Sequence, residues 1–201
     1  MNRSNMEENG LVLDFLPQGM ASGVKKEPVA QVLGDAHFTL LEVVPKPDVS
    51  LSPGEKIFIG KGDRDKIDHI RGRVSYNDLT GAAKNELPEI VNMVIHEREK
   101  DFVGFFNKCG PVTIRLHQLE LLPGVGKKHM QEMLAERDRR PFESFDDLRE
   151  RVKLLPDPAR LLKERILEEL QGGSKYYILT RPPQRPRPEG GYRQRQYRHS
   201  Y

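Results

Sequence analysis

The clearest chemistry in this chain belongs to two lysines that follow a glycine-flanked bend. The stretch Leu121-Leu122-Pro123-Gly124-Val125-Gly126-Lys127-Lys128 ends where a helix is expected to begin. A helix N-terminus leaves its first N–H groups unpaired and carries the positive end of the helix dipole. With no side chain on Gly124 or Gly126, a phosphate oxygen can come close enough to accept from those amides. Lysine in a first helical turn opposes the dipole, so Lys127 and Lys128 point to an anion brought by a partner. The candidate binding set is Gly124, Val125, Gly126, Lys127 and Lys128, with Val125 also the apolar plug between two helices. The competing reading is a helical hairpin that holds no ligand.

A second candidate set lies in the last 21 residues. Arg181, Arg185, Arg187, Arg193, Arg195 and Arg198 stand among prolines, glycines and three tyrosines, Tyr192, Tyr197 and Tyr201. Guanidinium planes and tyrosine rings stack on unpaired bases, and an aromatic platform is worth roughly 1–3 kcal/mol per base. Charge that serves solubility alone is the alternative. The remaining clusters are weaker. Asp63, Asp65, Asp68 and His69 lack the length and glycine placement of a calcium loop. Gly60-Lys-Gly lacks the rest of a phosphate loop. His117 and His129 flank the bend but form no metal-spaced pair with Cys109 or an aspartate. No catalytic residue, metal ligand or cofactor is assigned.

These residues need elements to position them. Leu116 and Leu119 precede the bend at helical spacing, and Met130, Met133 and Leu134 follow it as an i, i+3, i+4 stripe. The spacing predicts a tight hairpin of two amphipathic helices whose turn uses the φ > 0 freedom of its glycines. From about Thr113 to Arg137 the sequence resembles a helix-hairpin-helix motif, a module that grips nucleic-acid backbones without reading bases. Met130 stands where that family usually has alanine.

The bend has a second copy 33 residues on, in Leu154-Leu-Pro-Asp-Pro-Ala-Arg. Ser144 with Asp147 reads as a helix cap, and Asp157 with Pro158 as the start of another helix that ends at Gly172-Gly173. In this copy Asp157 and Ala159 replace the two glycines, and Pro158 removes a donor. The second hairpin is therefore expected to be structural.

The expected fold class is α+β in two domains, an OB-like antiparallel β-barrel followed by an all-α tandem hairpin domain. Residues 1–10 are expected to be mobile. Short β-rich runs separated by turn residues place the closed or nearly closed barrel in 11–78. Residues 79–110 read as a helical bridge, with Pro88 in the first turn of its own helix. Residues 111–173 hold the two hairpins, 174–181 a return strand, and 182–201 a disordered arginine/tyrosine tail. Over roughly 11–183 the chain resembles an archaeal family of conserved proteins without an assigned activity, associated with RNA or nucleotide binding. Arg115 through Lys128 and Pro141-Phe-Glu-Ser-Phe carry that resemblance. It implies a barrel plus tandem hairpins, no established catalysis, and a link to ribosome or translation complexes.

Charge distribution favours the same partners. Residues 1–110 carry 14 basic and 17 acidic side chains, residues 111–180 carry 13 and 12, and the last 21 carry six arginines against one glutamate. A single cysteine excludes an intrachain disulfide framework and fits a reducing cytoplasm. No apolar run suggests a membrane span. The function expected is non-catalytic nucleic-acid binding, RNA ahead of DNA. The alternatives are a DNA repair or recombination accessory protein, a hairpin-based glycosylase or lyase using Asp146 or Asp147, and a protein-interaction scaffold.

Overall fold

A computed structural model describes residues 6–19 and 27–182. Its first half is a five-stranded antiparallel sheet of β1 (Asn9–Leu16), β2 (Val29–Gly34), β3 (Leu40–Pro45), β4 (Lys56–Phe58) and β5 (Ile67–Arg73). The strand order is β4-β1-β2-β3-β5. The sheet curls into a half-barrel whose two ends, β4 and β5, are not paired with each other. The closed or nearly closed barrel expected from the sequence is present as a half-barrel with two free edges. β4 is only three residues long and leaves little ladder for a closing partner, while the β3–β5 register shifts twice.

Alternation along the strands sends side chains to two sides. Val12, Val32, Val43, Ile57 and Ile67 line the inside of the curl, where Leu51 from the β3–β4 loop closes over them. Leu11, Leu13, Leu33 and Leu40 face outward onto the helices. A bulge between Val12 and Asp14 resets β1, and Asp14 Oδ2 accepts from the Thr80 hydroxyl at 2.7 Å. Gln31, fully buried on β2, accepts from Thr80 N–H at 2.9 Å and donates to Asp78 O at 3.0 Å. The start of the helical region is thus hydrogen-bonded onto the sheet.

Thr80 caps α1 (Gly81–Glu97) by accepting from Ala83 N–H. Pro88 lies inside this one continuous helix and does not open a second. Its missing N–H leaves one carbonyl of the preceding turn without an intrahelical donor. The apolar face of Leu87, Val91, Val94 and Ile95 is buried enough to hold the helix through that gap. α2 (Glu99–Lys108) follows after Arg98, which donates to Ala36 O at 3.1 Å.

The rest comprises a two-stranded ladder, β6 (Pro111–Thr113) with β7 (Leu116–His117), a 3-10 turn (Gln118–Leu121), α3 (Lys127–Arg139), α4 (Phe145–Arg151) and α5 (Pro158–Gln171). Ser144 and Asp157 cap α4 and α5 as their sequence patterns predict, and Gly172, φ +86°, follows α5. One cluster of buried side chains runs from Leu11, Leu33 and Leu40 on the sheet through α1 and α2 to Leu119, Val125, Met133, Leu148 and Ile166. This cluster joins one face of the sheet to the helices, while the other face keeps its own core.

Residues 174–181 contain no strand. They lie as a strap over α5 because its buried Glu169 takes up their amides. The Glu169 carboxylate accepts from Ile178 N–H at 2.8 Å, Leu179 N–H at 3.2 Å and Thr180 N–H at 2.8 Å. Arg165 Nε meets the same carboxylate at 2.9 Å, and its guanidinium also donates to Tyr176 O. Backbone donors used in this way cannot enter a sheet ladder.

Candidate nucleic-acid interface

The glycine bend begins with a β-turn. Leu122 O accepts from Val125 N–H at 3.1 Å, with Pro123 and Gly124 as the central residues. Gly124 has φ +82°, which a type II turn demands at its third position and which only glycine takes at no steric cost. A methyl group there would stand 3.7 Å from Pro156 Cγ and 3.9 Å from Leu161 Cδ2. The first bend therefore packs against the second.

Gly126 differs from Gly124. It is the N-cap of α3 with φ −94° and ψ 176°, an extended conformation open to any residue. A Cβ at this position would meet nothing within 4 Å. Positive φ is thus needed at one glycine of the pair and not at both. No side chain caps α3, whereas Thr80, Ser144 and Asp157 cap α1, α4 and α5. The first-turn amides of α3 are left without intrahelical acceptors. Gly124, Gly126, Lys127 and Lys128 are all exposed.

Val125 is 7 % exposed and packs into the core as the plug its type suggests. Its side chain points inward and its N–H is held by Leu122, so it fixes the bend and offers no group to a ligand. Met130 is half-buried against the same core, so the larger residue is accommodated. The arm before the bend is not a helix. Leu116 and His117 form β7, and only the 3-10 turn of 118–121 separates them from Leu122. The spacing of Leu116 and Leu119 fits either arrangement. His117 decides between them: its Nδ1 accepts from Leu119 N–H at 3.1 Å, while its own N–H donates to Glu120 Oε2 at 2.9 Å. Burial, aided by the Arg137 charge and opposed by Glu120, pushes the imidazole below its ordinary value and favours its neutral form. His117 is thus a cap in the core and not a phosphate contact. His129, half-buried on α3, has its Nδ1 enclosed without a partner among the described residues.

α3 is held rigidly behind the bend. Arg137 Nη1 donates to Phe106 O at 3.1 Å and Cys109 O at 2.8 Å, tying it to the end of α2. Arg151 from α4 donates to Arg140 O at 2.8 Å, pairs with Asp147 at 3.1 Å and lies 4.6 Å over the Phe142 ring. Asp147 also accepts from Arg140 at 2.8 Å and from Glu143 N–H at 3.0 Å. Burial raises its carboxyl, but the Glu143 N–H, Arg151 and Arg140 outweigh that and leave it below the usual range. Asp146 pairs with Arg149 at 2.5 Å. Asp147 is thus engaged in the α3–α4 junction, while Asp146 pairs with Arg149 along α4 itself.

Of the arginine set, Arg181 is half-buried at the end of the strap. Arg185, Arg187, Arg193, Arg195 and Arg198 lie outside the described residues. The strap borders a cleft with Val112 and Gln118, so the arginine-rich segment starts beside the arm that leads into the bend. Asp68 and His69 pair with each other at 2.7 Å, and Asp63 faces Lys46 at 3.9 Å. Among the described residues no three acidic, histidine or cysteine side chains converge, and no helix is long and apolar enough to cross a membrane.

Two exposed apolar residues were not singled out by their sequence. Ile114 projects fully from the tip of the β6–β7 turn next to exposed Arg115, and Leu154 is 88 % exposed in the second bend. The repeat equates Leu154 with Leu121, and its left-handed backbone, φ +59°, has no signature in a leucine.

Comparison with known proteins gives relatives that match most of this chain. Uncharacterized protein MJ0038 of Methanocaldococcus jannaschii is 44 % identical over 177 residues, covering 87 % of this chain and 80 % of its own. The crystal structure of Af1531 from Archaeoglobus fulgidus, itself described by the family model DUF655, superposes with a TM-score of 0.80 at 44 % identity. That match covers 87 % of this chain and all of the other. The model of the family described as "Protein of unknown function (DUF655)" matches residues 6–181, nearly everything between the N-terminal residues and the arginine-rich end, and the chain belongs to that family.

Proposed function

We propose that this protein is a non-catalytic nucleic-acid-binding protein that holds a backbone phosphate on the first-turn amides of α3, with RNA ahead of DNA as its partner. The observation that carries this reading is Gly126. Its backbone is extended, the space around it is open, and it caps a helix whose first turn holds two exposed lysines. Nothing within the fold requires glycine there, whereas an anion approaching the amides from outside does. Residues 113–137 then act as an abbreviated helix-hairpin-helix module, its first helix reduced to a 3-10 turn. The second bend, with the Asp157 carboxylate capping α5, supports the first and takes no phosphate. The arginines from Arg181 onward add sequence-independent attraction to further phosphates, a combination suited to structured RNA in ribosome or translation complexes.

The test is titration of Gly126→Val against several RNA stem-loops of unrelated sequence. A side chain at 126 blocks the amides without a clash, so the variant folds. Charge-assisted hydrogen bonds are worth roughly 1.5–3 kcal/mol, so affinity should drop by at least about ten-fold. The loss should be uniform across sequences because backbone contacts read no base. Unchanged affinity would overturn the assignment. A parallel titration with duplex DNA of matched length decides between RNA and DNA.

A further inference from the structure

Leu154 gains nothing from the fold that leucine would explain. It is 88 % exposed, and its φ of +59° is a region in which a Cβ is disfavoured. Its neighbours behave conventionally: Val152 is fully buried and Leu155 packs on the core. Glycine or asparagine would suit this backbone better, and a polar residue would suit its exposure. Leu154 borders the groove between the first turn of α3 and the end of α4, together with Lys128, His129, Arg149 and Lys153. Contact of Pro156 with the Gly124 bend fixes the two turns side by side. Two carboxylates also border the groove, Glu132 and Glu150, and Glu132 is occupied by Lys153 N–H at 3.1 Å. Arg149 is paired with Asp146, while Lys128 and Lys153 join no ion pair among the described residues.

We propose that Leu154 is an apolar wedge that lies against an unpaired base next to the phosphate held at the α3 N-terminus. The inference rests on the phosphate grip and adds the class of ligand: RNA with a nucleotide already out of the stack, as at a bulge. Beside a phosphate, the apolar surface a nucleic acid can offer is the face of a base or the edge of its sugar. Aliphatic side chains insert between bases where stacking is broken or cheaply broken. A continuous helix must unstack a step to admit the leucine, whereas a bulge presents its base without that cost. Lys128 and Lys153 flank the wedge as cations for the adjoining phosphates.

The experiment titrates full-length wild type, Leu154→Asn, Leu154→Met and Gly126→Val into an RNA duplex with a single bulged 2-aminopurine and into the matched continuous duplex. Wild type should bind the bulged RNA more tightly and change its 2-aminopurine emission. Leu154→Asn should lose about ten-fold on the bulged RNA alone, the worth of one buried leucine side chain, and should lose the emission change. Its melting temperature should equal or exceed wild type, because asparagine tolerates the backbone and no buried contact is lost. Leu154→Met should retain most of the preference. Equal binding of the bulged RNA by Leu154→Asn and wild type overturns the wedge while leaving the grip intact. Unchanged binding of both RNAs by Gly126→Val overturns the grip, and the wedge falls with it.

Discussion

The imidazole of His117 does the work that a serine or aspartate does at the other caps, and it does so only while unprotonated. Its Nδ1 accepts from Leu119 N–H inside the fold, and burial beside Arg137 depresses its proton affinity below the ordinary histidine value. A depressed pKa in the native state means that the unfolded chain binds the proton first. The stabilisation is complete above the unfolded value, about 6.5, and is lost as pH falls toward the native value. Urea denaturation of wild type between pH 7.5 and 5 should show this loss. His117→Asn can cap the same amide without titrating, so its stability should fall less over that window; parallel curves would rule the role out. Cys109 needs no such test to be called structural. Burial outweighs the nearby Arg137 and pushes its thiol up to about 11, which leaves almost no nucleophilic thiolate at neutral pH.

Among the elements, α3, like α2, starts without a side-chain cap, and the two glycines before α3 have opposite reasons to be there. Gly124 is required by a left-handed backbone, so Gly124→Ser should cost about 1–2 kcal/mol. Gly126 is not required by its own conformation, and serine is the better N-cap, so Gly126→Ser should raise stability by about a few tenths of a kcal/mol. The same hydroxyl would occupy an amide that a phosphate needs, so that variant should bind RNA more weakly while resisting urea better. A Gly126→Ser protein that is both less stable and undiminished in binding would contradict the account of the bend. This contrast also marks what could be read from residues alone. The caps at Ser144 and Asp157 and the stop at Gly172 are local chemistry, written within four residues, and were legible. Which glycine adopts positive φ was not, since Leu-Pro-Gly-Val-Gly permits several turns. The arm before the bend is not legible either, because an i, i+3 leucine pair fits a strand that runs into a 3-10 turn as well as it fits a helix. Pro88 marked a helix start in the sequence, but tertiary burial of α1 overrode that local preference.

At the scale of the whole molecule, the parts least legible in the sequence are those made by distant residues. The half-open curl depends on a three-residue β4 and on register shifts in β5, and the strap depends on a glutamate in the last turn of α5. Glu169 is nevertheless what makes the contribution of the C-terminal arginines separable. Its bonds end at Thr180, so a chain cut after Pro182 keeps every donor to that carboxylate and should fold as wild type does. The cut removes five of the six arginines beyond residue 180, all but Arg181. If each neutralises one phosphate of a single-stranded RNA, the slope of log K against log salt should become shallower by roughly 3 to 4. The slope that remains belongs to the folded part, and Gly126→Val in the shortened chain should reduce it again by roughly one phosphate's share. Two independent decrements would place the bend and the arginines on one ligand. A shortened chain whose slope matches wild type would show that the C-terminal arginines do not touch the RNA, whatever their charge suggests.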